Sequence, residues 1–93
     1  MPHKFLIHHT GDHVGVAVTE IKQGEAVEGV FMDTDKRVTV TSNGDIPLWH
    51  KIALVDLKPG DAVIKYSVQV AVVTQPIKVG DYVHTQNIRT ARW

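Results

Sequence analysis

Cysteine is absent from the chain. That excludes disulfides and thiolate metal sites, and it fits a reducing compartment. Long apolar runs are missing too, and no stretch approaches the roughly 20 residues of a membrane-spanning helix. The N-terminal MPHKFLIHHTGD is too polar, and its apolar stretch too short, for a signal peptide. Neither sign of charge is in excess: Lys and Arg together number 10, as do Asp and Glu, so the formal charge is zero with histidine neutral. No electrostatic footprint for nucleic acid or anionic lipid results. Helical periodicity is lacking, because apolar residues never recur every 3.6 positions over a long window and β-branched residues dominate. Gly-x-Ser-x-Gly and Gly-rich phosphate loops do not occur, and neither Ser42 nor Ser67 has a nearby His–Asp pair. The expectation is a soluble, cytoplasmic protein that binds neither nucleic acid nor membrane.

What the chain does contain is one short phrase, used three times. Ile21-Lys22-Gln23-Gly24-Glu25-Ala26-Val27, Leu57-Lys58-Pro59-Gly60-Asp61-Ala62-Val63 and Ile77-Lys78-Val79-Gly80-Asp81-Tyr82-Val83 share the pattern Ile/Leu-Lys-x-Gly-Asp/Glu-x-Val. Each reads as a tight turn feeding a strand. The glycine supplies positive φ, the charged residues stay wet, and the β-branched residue starts a buried strand. The copies fall at unequal intervals, which argues against a solenoid or propeller.

The remaining segments fit the same class. His13–Thr19 alternates Val14, Val16 and Val18 against the small residues Gly15 and Ala17, a strand whose second face allows close backbone approach. Glu28–Met32 and Arg37–Thr41 follow as strands around the polar corner 33–36. Asn43-Gly44 then carries a strong hairpin signal. Lys51–Val55 reads as a short strand or one helical turn. Ala62–Thr74 is an apolar stretch expected to bend near Ser67. Tyr82–Gln86 reads as the last strand, and Asn87–Trp93 as a basic tail. Residues 1–93 are therefore expected to form one compact all-β domain of short strands and Gly turns.

Candidate chemistry centres on histidine, of which there are six. No His-x-His occurs and nothing local supplies a third ligand beside His8 and Asp12, so this chain alone is not expected to bind a metal. His3, His8, His9 and His13 read as wet surface residues. His50 and His84 have richer surroundings: Trp49 and Lys51 flank the first, and the second opens a run of hydrogen-bonding side chains. Alternation places His84 and Gln86 on one face. Lys65 interrupts an apolar run, either as a charged guard on a sheet edge or as a functional ammonium.

Four ordered segments resemble a known family along almost the whole chain. They are His8-x-x-x-Asp12-His13-Val14-Gly15-Val16-Ala17-Val18, Trp49-His50-Lys51-Ile52-Ala53-Leu54, Val63-Ile64-Lys65-Tyr66-Ser67 and Asp81-Tyr82-Val83-His84-Thr85-Gln86-Asn87. The pattern resembles the SAF domain of the altronate and galactarate dehydratases, a β-clip fold. The tail Asn87–Trp93 looks most like the free-standing small (alpha) subunit of (2R)-sulfolactate sulfo-lyase. The resemblance implies a lyase small subunit, inactive alone, that completes β-elimination from a 2-hydroxy carboxylate together with a large (beta) catalytic subunit. A divalent metal, with iron expected, would be held by that large subunit. On the same basis His50, His84 and Lys65 are the expected catalytic residues, and Lys51, Asn87 and Asp12 the expected substrate-binding ones. Trp49, Ser67 and Ala71 stand where the family usually has glycine, and Gln86 where it has histidine. Two alternatives stand beside this reading. One is a non-catalytic assembly module anchored through Trp49 and Trp93, and the other is a stand-alone sugar-acid binder.

Overall fold

The computed structural model describes residues 2–66 and 68–90. Nine strands form among them, with no helix: β1 (Phe5–Ile7), β2 (Val14–Ala17), β3 (Ala26–Phe31), β4 (Arg37–Thr41), β5 (Lys51–Ala53), β6 (Ala62–Lys65), β7 (Val68–Val73), β8 (Tyr82–Val83) and β9 (Ile88–Thr90). The all-β expectation holds. Six strands make one sheet in the order β4-β3-β1-β2-β5-β8, and β6-β7-β9 make a second. All pairings are antiparallel except β1 with β3.

The three copies of the turn phrase fold alike. Gly24, Gly60 and Gly80 take φ of 83°, 93° and 92°. The acid that follows each glycine turns its carboxylate back to the lysine amide. Lys22 N–H donates to Glu25 Oε1 at 3.1 Å, Lys58 to Asp61 Oδ2 at 2.8 Å and Lys78 to Asp81 Oδ2 at 2.9 Å. Each glycine N–H then donates across the fold, to the carbonyls of Ser42, Val73 and Ala53 respectively. The acids therefore cap their turns as well as meeting solvent, and the leading Ile21, Leu57 and Ile77 are buried. Leu57 bridges Ile77, and Ile21 bridges Ile46, so the turns are stitched to one another and to the loop ahead of β5.

Two apolar clusters result. The first gathers Phe5, Ile7, Ile21, Val27, Ile46 and Ile52. The second gathers Val14, Leu57, Val63, Val73, Ile77 and Val83. Phe5 crosses both of its neighbouring strands. A Cβ at Gly29 would lie 2.1 Å from its ring and one at Gly15 2.6 Å away, so side-chain-free backbone is required on either side of β1. Strand β2 thus uses its small face for close approach, and its valines divide. Val14 enters the second cluster while Val16 and Val18 are only half-buried.

Several sequence expectations change. Asn43-Gly44 makes no hairpin, because β4 pairs only with β3 and Gly44 lacks positive φ. Asn43 instead donates through Nδ2 to the Val79 carbonyl and to Asp81 Oδ1, both at 2.9 Å, tying β4's exit to the third turn. Lys51–Ala53 is a strand, not a helical turn. The last predicted strand stops at Val83, and Ile88–Thr90 of the supposed tail adds a strand to β7. The apolar stretch does break after β6, at Tyr66; Ser67 and the anchor Trp93 lie outside the described residues.

Candidate functional site

Strand β5 pairs with β8 so that Lys51 faces Val83 and Ile52 faces Tyr82. One further step along this register sets His50 opposite His84. Their ring centroids are 5.0 Å apart. Tyr82 completes the group: its hydroxyl lies 2.5 Å from His50 Nδ1, and its ring runs within 7° of parallel to that of His84 at 5.6 Å. The loop before His50 is fixed by Trp49 N–H donating to the Ala17 carbonyl and Ala17 N–H donating to that of His50, each at 2.8 Å. Trp49 holds φ 70°, so the left-handed backbone that glycine usually provides here persists with an indole attached.

Asn87 is buried and turned inward. Its Oδ1 accepts the His84 N–H at 3.0 Å, and its Nδ2 donates to the Tyr82 carbonyl at 2.9 Å. Its amide thereby fixes the turn that presents His84. Gln86 does not share a face with His84 as alternation implied. The chain leaves the strand after Val83, and Gln86 Nε2 reaches back to the Tyr82 carbonyl at 3.0 Å.

A second cluster forms around Asp12, Lys65 and Tyr66. Asp12 is 4% exposed; Oδ2 accepts the His9 N–H at 3.2 Å, while the buried Oδ1 has no donor among the described residues. A buried carboxylate oxygen without a donor is costly. Burial, then the nearby Lys51 ammonium, hold Lys65 below the ordinary lysine range, with Asp12 pulling the other way. Lys65 Nζ stands 5.4 Å from the centroid of the Tyr66 ring. His8 stacks on that same ring and is not simply a wet surface residue. Burial first, then Lys65, lower its pKa against the opposing pull of Asp12. His13 is also enlisted: its Nδ1 accepts the Ile64 N–H at 3.1 Å, sealing the outer edge of β6. His3 and His9 are exposed, as expected.

The structure thus brings His50 and His84 together, with Asn87 behind them, and gathers Asp12 and Lys65 near Lys51. Among the described residues Lys65 makes no hydrogen bond, ion pair or ring contact with either imidazole. Ile52 joins the first core and Ala53 and Val83 the second, so His50 and Lys51 project to opposite faces at the start of β5. Tyr82 is the residue that sequence reasoning missed; only the β5–β8 register reveals it. Among the described residues no three His, Asp or Glu side chains converge as a metal would require. Likewise no helix is long and apolar enough to cross a membrane.

Residues 3–91 match the altronate/galactarate dehydratase SAF domain. The chain belongs to that family. It is 40% identical to the (2R)-sulfolactate sulfo-lyase subunit alpha of Chromohalobacter salexigens, over 96% of each protein. It is 46% identical to the subunit of the same name from Paracoccus pantotrophus, over 58% of this chain and 81% of that one. The altronate dehydratase of Bacillus subtilis is 30% identical over 92% of this chain, but the match covers only 16% of that much longer protein. In the SAF family, then, the fold found here occurs both as a protein of about this size and as a small part of a long one.

Proposed function

We propose that this SAF domain is the small subunit of a lyase that eliminates a β-substituent from a 2-hydroxy carboxylate, and that it works with a larger catalytic subunit. The relatives named subunit alpha support a two-part enzyme, and their higher identity, over 96% and 81% of their own length against 16% for the altronate dehydratase, favours sulfolactate over a sugar acid. The observation that carries the reading is the convergence of His50 and His84 from separate segments onto one exposed corner.

Such an elimination removes a proton α to a carboxylate, stabilises the charge that develops, and assists departure of sulfite or hydroxide. Two imidazoles can share proton transfer and hydrogen-bond donation near neutral pH. On the other face of β5, Lys51 and Lys65 gather positive charge suited to a carboxylate or sulfonate, and the buried Asp12 carboxylate beside them orients that pair. Asn87 holds the backbone that presents His84. A divalent metal, iron on this reading, belongs to the larger subunit and would supply Lewis-acid stabilisation. Trp49 and Leu48, both exposed beside His50, are suited to contact that subunit.

The test is reconstitution. Sulfite release from (2R)-sulfolactate, and dehydration of altronate, are followed with this chain, with the larger subunit and with the two combined. Sulfite release only from the combination is expected. Full activity of the larger subunit by itself would refute the proposal.

A further inference from the structure

We infer that Tyr82 is a positioning residue that fixes the tautomer of His50, making His50 a hydrogen-bond donor through Nε2 and leaving His84 as the base. The division of roles rests on the function proposed above; the tautomer itself does not.

The geometry leads there in three steps. The Tyr82 hydroxyl and His50 Nδ1 are 2.5 Å apart, within the range of a short, strong hydrogen bond. A phenol is a strong O–H donor, and an imidazole nitrogen is a better acceptor than a phenol oxygen. The hydroxyl therefore donates to Nδ1, and the proton of the neutral ring resides on Nε2. In that state Nε2 has no lone pair for a substrate proton. It presents an N–H, suited to the oxygen on which negative charge develops during α-proton removal.

Tyr82 is held firmly enough to impose this choice. Its carbonyl accepts the side-chain amides of both Gln86 and Asn87, and its ring packs against the first apolar cluster. The face of the same ring stacks on His84. Among the described residues the His84 ring makes no hydrogen bond, so its nitrogens remain available to take a proton. One phenol thus differentiates two imidazoles 5.0 Å apart: it binds one through its hydroxyl and supports the other through its ring. The glutamine at position 86 has a use in this arrangement, as a second clamp on Tyr82.

The experiment is two-bond 1H–15N correlation on the full-length 15N-labelled chain, at about pH 8.5, where a histidine of ordinary pKa is neutral. The wild-type protein should show His50 as one tautomer, with a pyridine-type Nδ1 and a pyrrole-type Nε2. Tyr82→Phe keeps the ring and loses the hydroxyl; its Nδ1 resonance should move and its Nδ1–H tautomer gain population. In the reconstituted enzyme the same variant should lower kcat at least roughly tenfold with little change in KM. A proton on Nδ1 in the wild-type spectrum would overturn the inference and needs no variant to be seen. Unchanged His50 resonances or an unchanged kcat in Tyr82→Phe would overturn it as well.

Discussion

Tyr66 lays its ring against His8, with 4.3 Å between centroids and 22° between planes. Tyr66 also has a left-handed backbone, φ 56°, directly after Lys65. The other cluster repeats the arrangement, with left-handed Trp49 directly before His50. Non-glycine residues in this region are uncommon and often sit at functional corners. Of the three among the described residues, Asp35 lies in the polar corner between β3 and β4, while Trp49 and Tyr66 flank the two groups of candidate residues.

The corner beside Tyr66 can be probed through His8. Lys65 lowers its pKa and Asp12 raises it. Asp12→Asn should therefore move the His8 titration midpoint further down, whereas Lys65→Met should move it up. NMR titration of the His8 ring protons measures both. Shifts of one sign in the two variants would contradict the arrangement.

The same group makes stability depend on pH. In the unfolded chain His8 takes up its proton near 6.5, whereas in the fold burial and Lys65 postpone that uptake to lower pH. The unfolded state then binds more protons in between, so stability is greatest above 6.5 and falls as pH drops to the lowered value. Urea denaturation at about pH 7.5 and about pH 5 should show wild type losing more stability than His8→Gln. Equal losses would argue against a strained charged form of His8.

Trp49 offers a backbone test. Its side chain is 67% exposed, so removing it forfeits little burial, but φ 70° penalises any L side chain there. Trp49→Gly should be more stable than Trp49→Ala by about 1 kcal/mol. Thermal denaturation of the two variants decides it. An alanine variant as stable as the glycine variant would mean that the left-handed turn is not required.

Gly29 tests the packing under β1. An alanine there would put its Cβ against the Phe5 ring, fully buried with no obvious place to go. Gly29→Ala should cost about 1–3 kcal/mol of overpacking, a fall in Tm of at least roughly 4 °C. The double variant with Phe5→Leu should regain part of it, and no loss in the single variant would contradict the packing.

How much of this could be read in the sequence depends on range. The Lys-x-Gly-Asp turns were legible because their geometry is local: glycine φ and the acid's bond to the lysine amide lie within four residues. Asn43-Gly44 misled for the opposite reason, since its partner is the distant third turn rather than the next strand. Ile88–Thr90 is too short for alternation to reveal, and only pairing with β7 makes it a strand. At the candidate site, family resemblance pointed to His50, Lys65 and His84 as a set. It could not show that Lys65 stands beside Tyr66 and makes no contact with either imidazole among the described residues. Nor could it show Tyr82 as their link, because that contact exists only once β5 and β8 are in register.

The most direct measurement is kcat for sulfite release from (2R)-sulfolactate by the reconstituted complex carrying His84→Ala, with assembly checked by gel filtration. Loss of a general base predicts turnover lowered by about 10²- to 10⁴-fold in a complex that still assembles. Wild-type turnover in that assembled variant would show that the imidazole at position 84 takes no part in the reaction.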